Sequence, residues 1–189
     1  NIENRLGIRP AARAKSAMRL ILLNKPFHVL PQFTSPDDRR CLREFVPLRG
    51  FYPAGRLDFD SEGLMVLTDF GPWQARISQP GSGMPKTYLA RIDGRAPRGL
   101  VQRLKRGVEL DDGVAKADAV TIKEVGPNAS IVEIVLHDGR NRIVRRMFDA
   151  VGYPVQELVR TQVGPVRLGE LKAGRSRVIQ GAELSALMT

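Results

Sequence analysis

The chain has 189 residues, 42% of them hydrophobic, and a formal net charge of +10 from 30 Lys and Arg against 20 Asp and Glu. That is enough for one ordinary domain with a sizeable core and too apolar for a disordered tail, while the charge favours a polyanionic partner, nucleic acid first. One cysteine (Cys41) with two histidines (His28, His137), no long apolar run and no signal-peptide pattern exclude a disulfide framework, a metal cluster and a membrane span, leaving a cytoplasmic protein as the expectation.

Residues 1–17 (NIENRLGIRPAARAKSA) are basic without a sustained apolar period and read as a flexible arm offering Arg5, Arg9, Arg13 and Lys15 to phosphates. MRLILLNKP (18–26) predicts a short buried strand ended by a Lys-Pro turn. HVLPQFT (28–34) predicts extended chain, RRCLREFV (39–46) a short helix, GLMVLTD (63–69) a strand and PWQARISQ (72–79) a helix. PGSGMP (80–85) is the most loop-like stretch, so the expected lobes are about 18–84 and 85–189. KTYLARID (86–93) has strand period, and PRGLVQRLKRGV (97–108) opens on a first-turn proline and runs helical. LDDG (110–113) predicts a hairpin turn, and ADAVTIKEV (117–125) and SIVEIVLHDG (130–139) an antiparallel pair. NRIVRRMFDAVG (141–152) predicts a helix capped by Gly152, and VQELVRTQVGPVRL (155–168) a further strand. Alternating elements with adjacent strand pairs predict an α+β fold with a largely antiparallel or mixed sheet rather than a doubly wound one.

Three constellations suggest chemistry. In GRLDFDSEG, an extended run would put Arg56, Asp58 and Asp60 on one face and Leu57 and Phe59 on the other; a solvated turn with an incidental ion pair is the competing reading. In KTYLARI, Lys86 and Tyr88 share a strand face, where a tyrosine either stacks on a base or packs in the core. In LHDGRNRIVRRMF, Arg140, Arg142, Arg145 and Arg146 follow a strand with no acid among them and would repel unless an anion stands near. Arg142 and Arg145 share a helical face, and Arg146 packs differently.

The order of these motifs is specific. G-R-L-D-x-x-[ST]-x-G-L-x-x-L-T, then K-x-Y about thirty residues on, then G-R-N-R-x-[VI]-R-R-M resembles the bacterial pseudouridine synthases of the ribosomal small-subunit type, from about Met18 onward. The resemblance implies a two-lobed fold with a cleft, no cofactor and no metal. It implies isomerisation of a uridine in ribosomal RNA, of the large subunit; nothing in the sequence demands more than a monomer. It also implies roles: Asp58 as the reacting carboxylate, Arg145 as its paired cation, Tyr88 as the aromatic against the target base and Arg56 as an RNA contact. Lys86, Arg140, Arg142 and Arg146 are further expected RNA contacts. Asp60 and Glu62 match no catalytic position of the family. Ile143 stands where the family usually has Gln, and Ser61 where it more often has Thr. The rival readings are the same reaction on small-subunit rRNA or tRNA, and a non-catalytic RNA-binding protein of ribosome assembly; a DNA-binding helix rests on the arginines alone.

Overall fold

The runs LILL and LMVL become the two strands around which the rest is arranged. The computed structural model describes residues 18–189, so the basic arm expected at 1–17 lies outside the described residues. In chain order the strands are β1 (Leu20–Lys25), β2 (Tyr52–Pro53), β3 (Glu62–Thr68), β4 (Lys86–Asp93), β5 (Val108–Leu110), β6 (Gly113–Ala115), β7 (Ala119–Val125), β8 (Ala129–Leu136), β9 (Val155–Val163), β10 (Val166–Arg167) and β11 (Ser176–Ile179). The helices are α1 (Gly71–Ser78), α2 (Leu100–Arg106), α3 (Ile143–Ala150) and α4 (Gly181–Met188). Nine strands form one sheet, ordered β11-β1-β3-β9-β4-β8-β7, with β2 beside β3 and β10 beside β9; β5 and β6 make a separate hairpin. The β3–β9 contact is parallel and the other named pairs are antiparallel, as expected for a mixed α+β sheet.

β1 and β3 are buried on both faces, which is why their sequences are unbroken apolar runs. Leu20, Leu22, Leu64 and Val66 enter one core cluster, and Ile21, Leu23, Met65 and Leu67 the opposite one. β8 is covered on one face only and alternates accordingly, with Ser130, Val132, Ile134 and Leu136 buried. A third cluster joins β4 and β8 to α2 and α3. The C-terminal segment returns to the first half: Ile179 and Leu187 pack with Leu20 and Leu64, so the cores do not partition at the 84/85 boundary.

The parallel contact is short and close. Gly63 pairs with Arg160 at φ +108°, and a Cβ there would press into the Arg160 backbone. Only glycine lets β9 approach at this point, directly after the turn that carries Asp58 and Asp60.

Several sequence expectations change. Residues 39–46 form only a 3-10 turn at Leu42–Glu44, because the backbone on either side of Cys41 is bonded to residues 30–32 (Leu30 N–H to Arg40 O, 2.8 Å; Leu42 N–H to Gln32 O, 2.9 Å). The single strand expected over 155–168 folds back at Gly164 into the β9–β10 hairpin. The helix expected from 141 begins at Ile143. Its end is as expected: Gly152 at φ 88° donates to Asp149 O and Tyr153 to Phe148 O, a Schellman cap.

Lys25 closes β1 with its side chain fully buried, donating to the carbonyls of Val29 (2.8 Å) and Pro26 (3.0 Å). Burial pushes its ammonium down from the usual 10.5 to about 8, against the opposing pull of Asp58, Glu62 and Asp60. Between those two values the unfolded chain holds more protons than the folded one, so this group makes stability rise with pH there. Urea denaturation of the native chain and of Lys25→Met, at about pH 7.5 and about pH 10, is expected to show the native chain gaining on the variant by roughly 2–3 kcal/mol. A pH-independent difference would contradict the buried, destabilised charge.

Candidate active site

The sequence GRLDFDSEG has two jobs locally, burying Leu57 and turning into β3. Leu57 is buried in the core beside β1, and residues 56–58 are irregular rather than extended. The chain turns at 58–61, closed by Ser61 N–H donating to Asp58 O at 3.0 Å. Asp58 and Asp60 therefore do not share a strand face with Arg56. They are brought together by the turn, at the mouth of a cleft of about 780 Å³ that is lined on its other sides by β4, β9 and the start of α3. A volume of that order suits a small organic group such as a nucleoside.

Three elements aim cations into this cleft. β4 places Lys86 and Tyr88 two residues apart, so both face it, as the strand period predicted. β9 places Arg160 opposite Tyr88. The chain enters α3 through Arg142, which holds a left-handed conformation (φ 53°, ψ 31°) and so directs its side chain back across the seam. Arg142 binds Asp60 with both arms (2.9 and 2.8 Å) and stands 3.5 Å from Asp58 Oδ2. Arg145, one turn on, donates Nη2–H to the backbone carbonyl of Asp60 (2.6 Å) and lies 3.4 Å from Ser61 Oγ. Its Nε is buried without an acceptor among the described residues, 3.7 Å from Asp60 Oδ2. A buried donor in that state costs about 1–3 kcal/mol, and a shift of under about 1 Å would satisfy it.

The pairing expected between Arg145 and Asp58 is thus replaced. Among the described residues Arg145 makes its ion pair with Asp60, and the guanidinium beside Asp58 is that of Arg142. Asp60, which the motif left without a role, is the shared acceptor of both arginines, and its bond to Arg142 holds its carboxyl below the usual range. Glu62 is pushed the other way by burial and by Glu157.

The remaining arginines find their anions within the protein. Arg140 binds Asp138 through Nε and Nη2 (3.0 and 2.8 Å) and reaches Asp112 with Nη1 (2.9 Å). Arg146 grips both oxygens of Asp112 (2.9 Å each). Asp112 sits at the tip of the β5–β6 hairpin, so this network ties that tip to α3. Of the eight residues singled out in the sequence, Arg146 alone does not line the cleft; Arg56, Asp58, Lys86, Tyr88, Arg140, Arg142 and Arg145 all do. Arg56 is exposed at the rim. Burial, with Arg160 nearby, lowers the Lys86 pKa. Ile143 is buried in the core of the β4–β8 half, so this departure from the family motif is a packing residue.

Arg160 was not found from the sequence. It is 3% exposed, with Nε donating to Leu64 O (2.8 Å) and Nη1 to Arg56 O (3.1 Å), which pins both ends of the Asp58 turn to β9. Its one signal was a basic residue in the strand VQELVRTQV, which also carries Glu157 and by itself looks like any exposed strand position.

Comparison with known proteins gives the family. A family model described as RNA pseudouridylate synthase matches residues 19–150. The chain is 43% identical over 176 residues to the ribosomal large subunit pseudouridine synthase E of Vibrio parahaemolyticus, spanning 86% of this chain and 74% of that protein. It is 40% identical over 173 residues to an uncharacterized RNA pseudouridine synthase of Aquifex aeolicus, spanning 89% and 69%. These names carry the large subunit or RNA in general, not the small-subunit label of the motif resemblance. A crystal structure of a pseudouridylate synthase superposes with a TM-score of 0.78 at 29% identity, over 90% of this chain and 74% of that one. The human RNA pseudouridylate synthase domain containing 1, at 18% identity and a TM-score of 0.55, shares the fold. The chain belongs to the RNA pseudouridylate synthase family.

Proposed function

We propose that this chain converts a uridine of large-subunit ribosomal RNA to pseudouridine, with Asp58 as the reacting carboxylate. The observation that supports this most is the convergence of Asp58, Tyr88 and the guanidinium of Arg142 on one cleft, from a turn, a strand and a helix start that lie far apart in the sequence. The large-subunit assignment is supported by the names of relatives at about 40% identity and more. The chain acts as a monomer in this reading, and a ribosomal RNA enzyme works where that RNA is, in the cytoplasm. No helix among the described residues is long and apolar enough to cross a membrane.

The reaction breaks the bond from uracil N1 to ribose C1′, turns the base and rejoins it through C5, with the C5 proton lost to solvent. The cleft supplies what this needs. The target uridine leaves the RNA stack to reach Asp58, and Arg56 at the rim is placed to follow it or to hold the phosphates it leaves. Tyr88 lies against the base, and Lys86 and Arg160 make the floor cationic, which stabilises a uracil that leaves with the bonding electrons. Asp58 then meets C1′ or takes the 2′ proton; both routes use an ionised carboxylate held in place by the turn.

The substrate is tested by mapping pseudouridine in rRNA and tRNA from a strain lacking the gene, with and without the native chain restored. One large-subunit uridine regaining modification is expected; recovery in small-subunit rRNA or tRNA, or in none, would contradict the assignment. The two arginines are expected to separate. Arg142→Ala should lower kcat by roughly 10- to 100-fold with thermal stability nearly kept, since its side chain is 41% exposed. Arg145→Ala should lower kcat and also cost about 2–3 kcal/mol of stability, because it is 12% exposed and ties the turn to α3. Equal losses of stability in both variants would sink the division of roles.

A further inference from the structure

The turn after β1 leaves a large apolar ring on the surface. Phe27 is 45% exposed, and its ring lies on that of His28 with centroids 3.6 Å apart and planes 27° from parallel. His28 stacks in turn on Phe59, at 4.9 Å and 8°. The guanidinium of Arg39 stands over the Phe59 ring, 4.9 Å from its centroid. Three separate segments of chain thus build one stack, with Phe27 at its open end.

This stack is held under strain. His28 sits at φ 56°, a left-handed conformation that costs a residue with a Cβ on the order of 1–3 kcal/mol. Phe27 and His28 are themselves exposed, while Val29 directly after them is buried. The turn sets the Phe27 and His28 rings one over the other, and the His28 N–H donates to Phe59 O at 2.9 Å. Phe59 directly follows Asp58, so the stack is fixed to the turn that presents the carboxylate. Pro31 and Gln32, just after His28, line the cleft itself. Arg39 gives the stack an exposed cation, since its pair with Asp37 is itself solvent-exposed.

We infer that the stack is a second RNA contact, a platform on which an unpaired base neighbouring the extruded uridine lies against Phe27. The inference rests on the proposed RNA substrate and adds a site outside the catalytic cleft. A base next to an extruded nucleotide has lost its stacking partner on that side, and an exposed ring of similar size replaces it. Aromatic faces interleaved with arginines are the physical means by which single strands are held without sequence preference. Arg39 takes the phosphate, and the ring takes the base.

The probe is a single-stranded 12-mer of adenosines carrying one 2-aminopurine, which contains no uridine and so reports binding apart from chemistry. Native chain, Phe27→Ala and Phe27→Tyr are compared by titration and by quenching of the 2-aminopurine, each across a range of salt. Phe27→Ala is expected to bind roughly 5- to 150-fold more weakly with quenching lost, Phe27→Tyr to bind as the native chain does, and the salt slope to be the same in all three. Equal binding and quenching by Phe27→Ala would overturn the platform while leaving the RNA reading intact. Weaker binding with a shallower salt slope would overturn it too, by assigning the loss to phosphate contacts. No binding of the oligonucleotide by the native chain would overturn the platform, while the rRNA mapping tests the substrate separately. Binding as expected from a chain without isomerase activity would leave the platform standing and remove only the catalytic reading.

Discussion

Asp60 accepts both arms of Arg142 and faces the Nε of Arg145, and through those contacts the turn holding Asp58 is clasped to the start of α3. The clasp spans the seam where β3 and β9 run parallel, the point at which the two halves of the sheet meet. Neither side would hold this position alone. The turn is irregular backbone, and Arg142 stands in a conformation that a residue with a side chain seldom adopts. Each is fixed by the other, with Arg160 binding the turn from below and Gly63 letting the strands close. The turn that presents Asp58 is thereby held by Arg142, Arg145 and Arg160.

Electrostatics explain why so basic a protein folds around this point. Arg140 and Arg146 share Asp112, Arg140 also holds Asp138, and Arg142 and Arg145 share Asp60, so the arginine cluster is largely neutralised from within. Arg56 and Lys86 line the cleft and make no ion pair with a described residue, and Arg39 stands over Phe59 at the surface. Asp60 owes its lowered pKa to its arginine partners, so the clasp is fully formed at neutral pH and weakens only as acid protonates that carboxyl.

Much of this was legible in the sequence. The doubly buried strands are unbroken apolar runs, the half-buried β8 alternates, and the Gly152 cap stands where the helix pattern ends. The motif residues Asp58, Tyr88 and Lys86 meet in the cleft because a turn and a strand face are short-range features that spacing describes well. What was hidden is long-range. Nothing local says that Asp60, 82 residues before Arg142, would be its partner, or that an arginine in β9 would hold the Asp58 turn. The helix expected at 39–46 failed for the same reason, since backbone bonds to residues 30–32 override a local pattern. β11 and α4 left no strong periodic signal in the sequence, and their place is set by the edge of β1 that they cover.

The account stands or falls on Asp58. The most direct measurement is release of tritium from C5-labelled uridine in large-subunit rRNA by the purified native chain and by Asp58→Asn, with RNA binding measured on both. The account predicts release by the native chain and none by the variant, with binding nearly unchanged. Release by Asp58→Asn at a comparable rate would show that the carboxylate held in this clasp is not the one that does the chemistry.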